Sequence, residues 1–383
     1  MYINRKYSVS INAIICDSPA RSFVTATKGH NGYSGCSKCI DEGEYRNYKM
    51  LFLKLDALLR TDESFKQRLD ENHHTGFSPF LRTEVAMVTQ FPLDYMHLTC
   101  LGVMKKMINL WMYGHYNVRL SAAKINELSR DLIALREWIP AEFQRKPRGV
   151  DEVERWKATE FRLFLLYLGI TLVDKYLPQS YAVHFSALNC ALRILSHPED
   201  CIRNNVFAKE LLIYFVNGCK DLYGEETVIF NIHNLIYLPS DVLQFGSIDS
   251  FSAFSFENFL QKVKKQIRKG DKPLAQLHRR IVEENSSKLS IMNTTLIKRP
   301  SLLRKNNKQL IMGCSSSYDK LILQNFIISI LKKADSYCYL KNNNVMWVNF
   351  IGEKNNEPIL IGKILLNPTT FRIILASPVI YKL

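Results

Sequence analysis

The chain has 383 residues, room for two or three domains, and 47% of them are apolar, which suits a packed core and excludes a disordered polymer. Lys and Arg outnumber Asp and Glu by 51 to 36, a net charge of +15 that favours polyanionic partners, nucleic acid ahead of membrane lipid. No apolar run reaches the roughly 18–20 residues of a membrane span, Asn4, Arg5, Lys6 and Asn12 interrupt the start against a signal peptide, and nine scattered cysteines point to a reducing nucleus or cytoplasm over a disulfide framework.

In chain order, the Ile-rich run Ile11 to Ile15, stopped by Pro19, predicts a buried strand that delivers Asp17 to a sheet edge. Nineteen residues on comes Cys36-Ser37-Lys38-Cys39, preceded by Gly29, Gly32 and Gly35, and this spacing lets two thiolates turn back onto one tetrahedral metal. Free loop thiols are the alternative. Residues 44–72 are charged and helical in period, and 73–79 form a loop. Residues 91–113, FPLDYMHLTCLGVMKKMINLWMY, form an apolar helix entered through Pro92 with His97 near its start. Helices over 121–138, 155–174, 179–195, 206–223 and 227–237, with a basic linker at 140–148, make the middle of the chain a helical bundle. A loop at 239–255 leads to a helix that Ser255 can cap, which runs to about Lys269 and carries Glu257 in its first turn. Another helix covers 273–284, a polar linker starts at 285, and runs at 345–351, 358–366 and 371–380 predict a small β domain. The class is α+β.

The strings CDSPARSF, KGHNGYSGCSKC, FPLDYMHLTCLGVMKK, RKPRGVDEVERWKATEFRLFLLY, FNIHNLIYL and FSAFSFENFL resemble the transposases of animal CACTA-type (EnSpm-like) DNA transposons, in order, from Ser8 to about Glu284. The resemblance implies a DDE/D transposase whose RNase H-like core is split by a helical insertion before its third acid. Residues 1–43 then carry a core strand and the start of the zinc loop, 44–238 the insertion, 239–288 the last core helices, and 289–383 a linker with the β domain.

Such chemistry uses three carboxylates because two divalent cations, magnesium or manganese, flank the scissile phosphate. By resemblance Asp17 matches the second acid and Glu257 the third; without it, they read as a turn-capping Asp and a Glu favoured by a helix N-terminus. The family's first aspartate lies well upstream of the second, and none of the sixteen residues before Asp17 is acidic. The expectation is an N-terminally truncated chain that holds the catalytic metals poorly and is inactive alone. For zinc, the family adds two histidines one helical turn apart. His233 stands at the first position and Tyr237 at the second, a poor ligand in place of a lost one, so that water, His30 or His97 would complete the shell. Asp94 and His97 fit the family's DxxH string, although an imidazole–carboxylate bond in the core explains them equally. Arg155-Trp156 matches an RW dipeptide whose Trp stacks near the cleaved strand in related enzymes, although a Trp opening an apolar helix is more often core. The expected partners are DNA and a second copy or a full-length transposase, with no membrane. Two functions of different class follow: a DNA-cutting transposase core, or a non-catalytic zinc module that binds DNA or protein.

Overall fold

The computed structural model describes residues 10–291, 300–306, 308–311, 313–323, 326–340 and 344–365. Its contacts divide the chain into two units, Met1–Ser129 with Gly149–Ser255, and Arg130–Arg148 with Phe256–Leu383. Helix and sheet are mixed, as the α+β reading requires. The cysteine loop and the helical array, expected as separate domains, share the first unit.

That unit opens away from expectation. Residues 11–15 form no strand: beside one parallel bridge, Cys16 to Leu93, and one backbone bond, Ile14 N–H to Gln90 O, the run is held by the Gln90 side chain, whose amide donates to the Ile11 and Asn12 carbonyls, and among the described residues no second extended segment continues the ladder. Helix α1 (Ser18–Thr25) follows at once, with Pro19 in its first turn and Asp17 as its N-cap. Residues 44–72 are not one helix. They hold the hairpin β1 (Glu44–Arg46) and β2 (Lys49–Leu51) and the single turn α2 (Asp62–Lys66). Asn47 and Tyr48, both at positive φ, make the two-residue turn whose twist matches the strands.

The apolar run after Pro92 is helical as expected but wound in two ways, a π-helix over Met96–Met104 continuing as α3 (Lys105–Tyr113). Then come α4 (Ala122–Ala134) and α5 (Ala158–Leu163), which passes through a π turn at Phe164–Leu168 into α6 (Gly169–Tyr176). Helix α7 (Gln179–Ser196) is joined through the short α8 (Asp200–Arg203) to α9 (Asn205–Tyr223). The α7–α9 pair forms the floor of the core, where Phe185, Leu188, Leu192, Leu212, Phe215 and Val216 are fully buried. At roughly 1.5–3 kcal/mol per buried aliphatic or aromatic side chain, this packing rather than propensity holds the bundle. Then α10 (Phe230–His233) runs through a 3-10 turn to Tyr237, and α11 (Leu238–Phe245) replaces the expected loop, because Pro239 stands in its first turn, where a missing N–H costs nothing.

Helix α12 (Phe254–Gln266), in the second unit from Phe256 on, and α13 (Pro273–Ile291) lie side by side, tied by Lys262–Glu284 and by Gln276 accepting from Arg268 N–H. Helix α13 outruns its expected end at residue 284. The β domain holds β3 (Ser301–Asn306), β4 (Ser316–Ile322), β5 (Ile327–Ser329), β6 (Tyr337–Tyr339), β7 (Val345–Lys354) and β8 (Glu357–Leu365), all antiparallel. The expected strand at 371–380 lies outside the described residues. Strand β7 pairs with β8 along one edge and with β6, then β4, along the other. One face carries the core of Leu321, Ile328, Cys338, Met346, Val348 and Ile351.

Candidate metal centre

Three buried ligating side chains from distant parts of the chain meet in the first unit. Cys36, Cys39 and His233 present Sγ, Sγ and an imidazole nitrogen within 4.8 Å of one another, the one such convergent group of three among the described residues. Cys39 Sγ lies 3.3 Å from His233 Nε2 across 194 residues of sequence.

The glycines build the loop. Gly32 and Gly35 N–H donate to Gly29 and Gly32 carbonyls, and a Cβ on Gly35 would fall 2.3 Å from Gly29 O, so only glycine allows this coil. Arg60 seals it with Nε to Cys36 O at 3.0 Å and a 2.7 Å ion pair to Asp70. On the other side, Leu51 bridges Ile229 and Phe52 N–H donates to Val228 O, which pins the start of α10 against β2. His233 Nδ1–H then donates to Phe52 O at 3.1 Å, leaving the Nε2 lone pair facing the sulfurs. That orienting bond is what metal-bound histidines use.

The residues fit a metal such as zinc. Zn–S of about 2.3 Å and Zn–N of about 2.0–2.1 Å in a tetrahedron set sulfur and nitrogen ligands about 3.5 Å apart, against 3.3 Å here. Cys39 is held well below an ordinary thiol by the hydrogen bond from Cys36, then by His233 and Tyr237, while burial pushes Cys36 up. One thiolate beside one thiol is the state from which a metal displaces a proton. Tyr237, 7% exposed, sets its hydroxyl 3.4 Å from His233 Nε2, so the residue at the expected fourth position does face the cluster. Asn234 Oδ1 takes a 3.6 Å bond from the Cys36 thiol. His30 and His97 do not join the three. His30 packs on Phe230, and His97 bonds Asp94.

A supporting layer carries no recognisable motif of its own in the sequence. Lys38, between the two cysteines, is buried and pairs with Asp241 of α11 at 2.7 Å, and the other Asp241 oxygen accepts from Leu93 N–H. Arg21, also buried, donates to Ser37 Oγ and Pro92 O. The signal was in the spacing: His233, Tyr237 and Asp241 stand four residues apart, one face of one helical stretch turned to the Cys36–Cys39 loop.

The other singled-out residues divide. Asp17 accepts from Ala20 N–H at 2.7 Å as the cap of α1, and it also lines a cleft of about 290 Å3 with Arg21, His30, Asp94 and His97. Asp94 is buried and accepts from His97 Nδ1 at 2.6 Å, from His97 N–H and from Ala253 N–H, so the DxxH pair caps a helix start and fastens the segment before α12. Glu257 is exposed in the first turn of α12, in the second unit. Trp156 is a core residue, 5% exposed, its indole N–H on Gly149 O and its ring against Phe161 and Phe164, which leaves no open face for a base. Arg155 precedes it at the end of a 3-10 turn. All nine cysteines are free, and no described helix is long and apolar enough to cross a membrane. A scan against models of protein families finds no match, and a search of curated proteins finds none either.

Proposed function

We propose that the chain is a transposase-derived, DNA-binding protein of the CACTA type in which zinc, held by Cys36, Cys39 and His233, pins the helical array to the loop after Asp17. The observation that carries this reading is the meeting of those three side chains across 194 residues, the closure the resemblance implies. Asp17 and Glu257 descend, on this reading, from the second and third acids of an RNase H-like core, and magnesium or manganese is their ancestral cofactor. On this reading the protein binds DNA in the nucleus or cytoplasm, and strand cleavage needs a third carboxylate beside Asp17 and Glu257. Its partners are DNA and a transposase chain.

The test joins metal content to activity. The purified protein should carry about one equivalent of zinc, Cys36→Ser should release it, and Tyr237→His should tighten it by tenfold or more by restoring a fourth strong ligand. Supercoiled DNA with magnesium or manganese should stay intact. Zinc-free protein with unaltered stability would remove the metal from the reading, and nicking abolished by Asp17→Ala would replace the binding protein with an enzyme.

A further inference from the structure

The positive charge of the chain is not spread evenly. The first unit holds 24 Lys and Arg against 25 Asp and Glu, and the second holds 27 against 11. A polyanion should therefore be drawn to the second unit. The β domain there presents a surface of particular chemistry. Tyr337 on β6 is the direct partner of Trp347 on β7, which is in turn the direct partner of Lys363 on β8, so the three side chains form a row across three strands. They alternate with Cys338, Met346 and Val348 of the core and so stand on the opposite face. Tyr337 and Trp347 are each 38% exposed, far from the burial aromatic side chains usually reach, and their rings lie 6.5 Å apart with planes within 21°. A further pair, Lys333 over Trp138 at 5.0 Å, lies in the same unit, where Asp335 accepts from Ala141 N–H.

We infer that the outer face of this sheet binds single-stranded nucleic acid, with bases stacked on Tyr337 and Trp347 and a phosphate held by Lys363. Near-parallel aromatic rings on adjacent strands offer π-faces to unpaired bases, and a neighbouring lysine supplies the backbone contact. A duplex keeps its base faces covered and cannot use the two rings, so the surface distinguishes single strands from duplex. The charge excess selects a polyanion over an apolar peptide. The inference is independent of the metal centre.

The experiment uses the full chain and a labelled 15-nucleotide oligo-dT, its oligo-U counterpart and a 15-base-pair duplex, with binding read by fluorescence anisotropy. The single strands should bind at least tenfold more tightly than the duplex. Trp347→Ala and Tyr337→Ala should each weaken single-strand binding about tenfold with duplex binding unchanged, Trp347→Phe should recover most of the loss, and Lys363→Gln should reduce the dependence of log K on log salt by about 0.7. Equal affinity for single strand and duplex, or full affinity in the Trp347→Ala, Tyr337→Ala double variant with an unaltered melting temperature, would overturn the proposal. A face occupied by the chain's own residues 366–383 gives that same result. Neither outcome touches the zinc content or the nicking assay.

Discussion

Asp241 is the residue on which the neighbourhood of the metal centre balances, because one buried carboxylate answers Lys38 directly and lies close enough to Arg21 to hold its guanidinium charged against burial. Removing it leaves buried cations without an answer, so Asp241→Ala should cost about 3–5 kcal/mol, while Lys38→Met with Asp241→Leu should cost much less; urea denaturation of the three proteins checks the ordering. His73 offers a pH handle. Burial and then Arg60 lower it from 6.5 to about 4, and its Nδ1–H donates to Ser34 O at 2.7 Å. The unfolded chain takes up this proton near pH 6.5 and the folded one only near 4, so the contribution is complete above 6.5 and is lost as the pH falls to 4, on the order of 2–4 kcal/mol. Unfolding free energies at pH 7, 6, 5 and 4.5 should decline, and the decline should be shallower in His73→Gln.

Among the elements, the hairpin β1–β2 is small but fastens His233, since Leu51 and Phe52 hold the start of α10. Its turn carries avoidable strain. Tyr48 is 94% exposed at φ +61, so its ring gains nothing while its Cβ opposes the left-handed backbone. Tyr48→Gly should stabilise by about 0.5–1 kcal/mol, read as a rise in the urea midpoint at unchanged slope. This element also shows where the sequence was opaque. A two-residue turn of Asn-Tyr lacks the glycine that announces a hairpin, and three-residue strands are too short for alternation to outweigh the helical period of the charges around them. The long helices α7 and α9 were legible because their apolar stripes persist over four to five turns. The strand expected at 11–15 failed because apolar residues define a strand only when a neighbouring ladder exists. At the site, Cys36 and Cys39 were readable from spacing and His233 only through resemblance. Trp156 was ambiguous because an indole at a helix start has the same sequence signature in a core as on a DNA surface.

For the whole molecule, the division of charge is the property that bears on partners. Sequence-tolerant DNA binding should weaken steeply with salt, by about 0.9 in log K per phosphate for each tenfold rise in salt. Lys264→Glu with Lys265→Glu, both in the basic unit, should weaken it, while Lys54→Glu with Lys209→Glu, which change the net charge equally in the near-neutral unit, should leave it almost unaltered. Equal losses from the two pairs, measured as filter-binding affinity at several salt concentrations, would show that total charge rather than its placement governs binding.

The span between the cysteine loop and its histidine also sets a clock during synthesis. At about 5–20 residues per second a ribosome needs roughly 10–40 s to advance from Cys39 to His233. Through that interval the two thiols have emerged without their imidazole, Lys38 waits for Asp241, and the glycine coil has nothing to close against. A nascent chain must keep the thiols of this loop reduced until α10 arrives. On the proposed zinc-binding reading, cellular zinc and thiol balance act on the yield of folded protein before they act on the finished molecule.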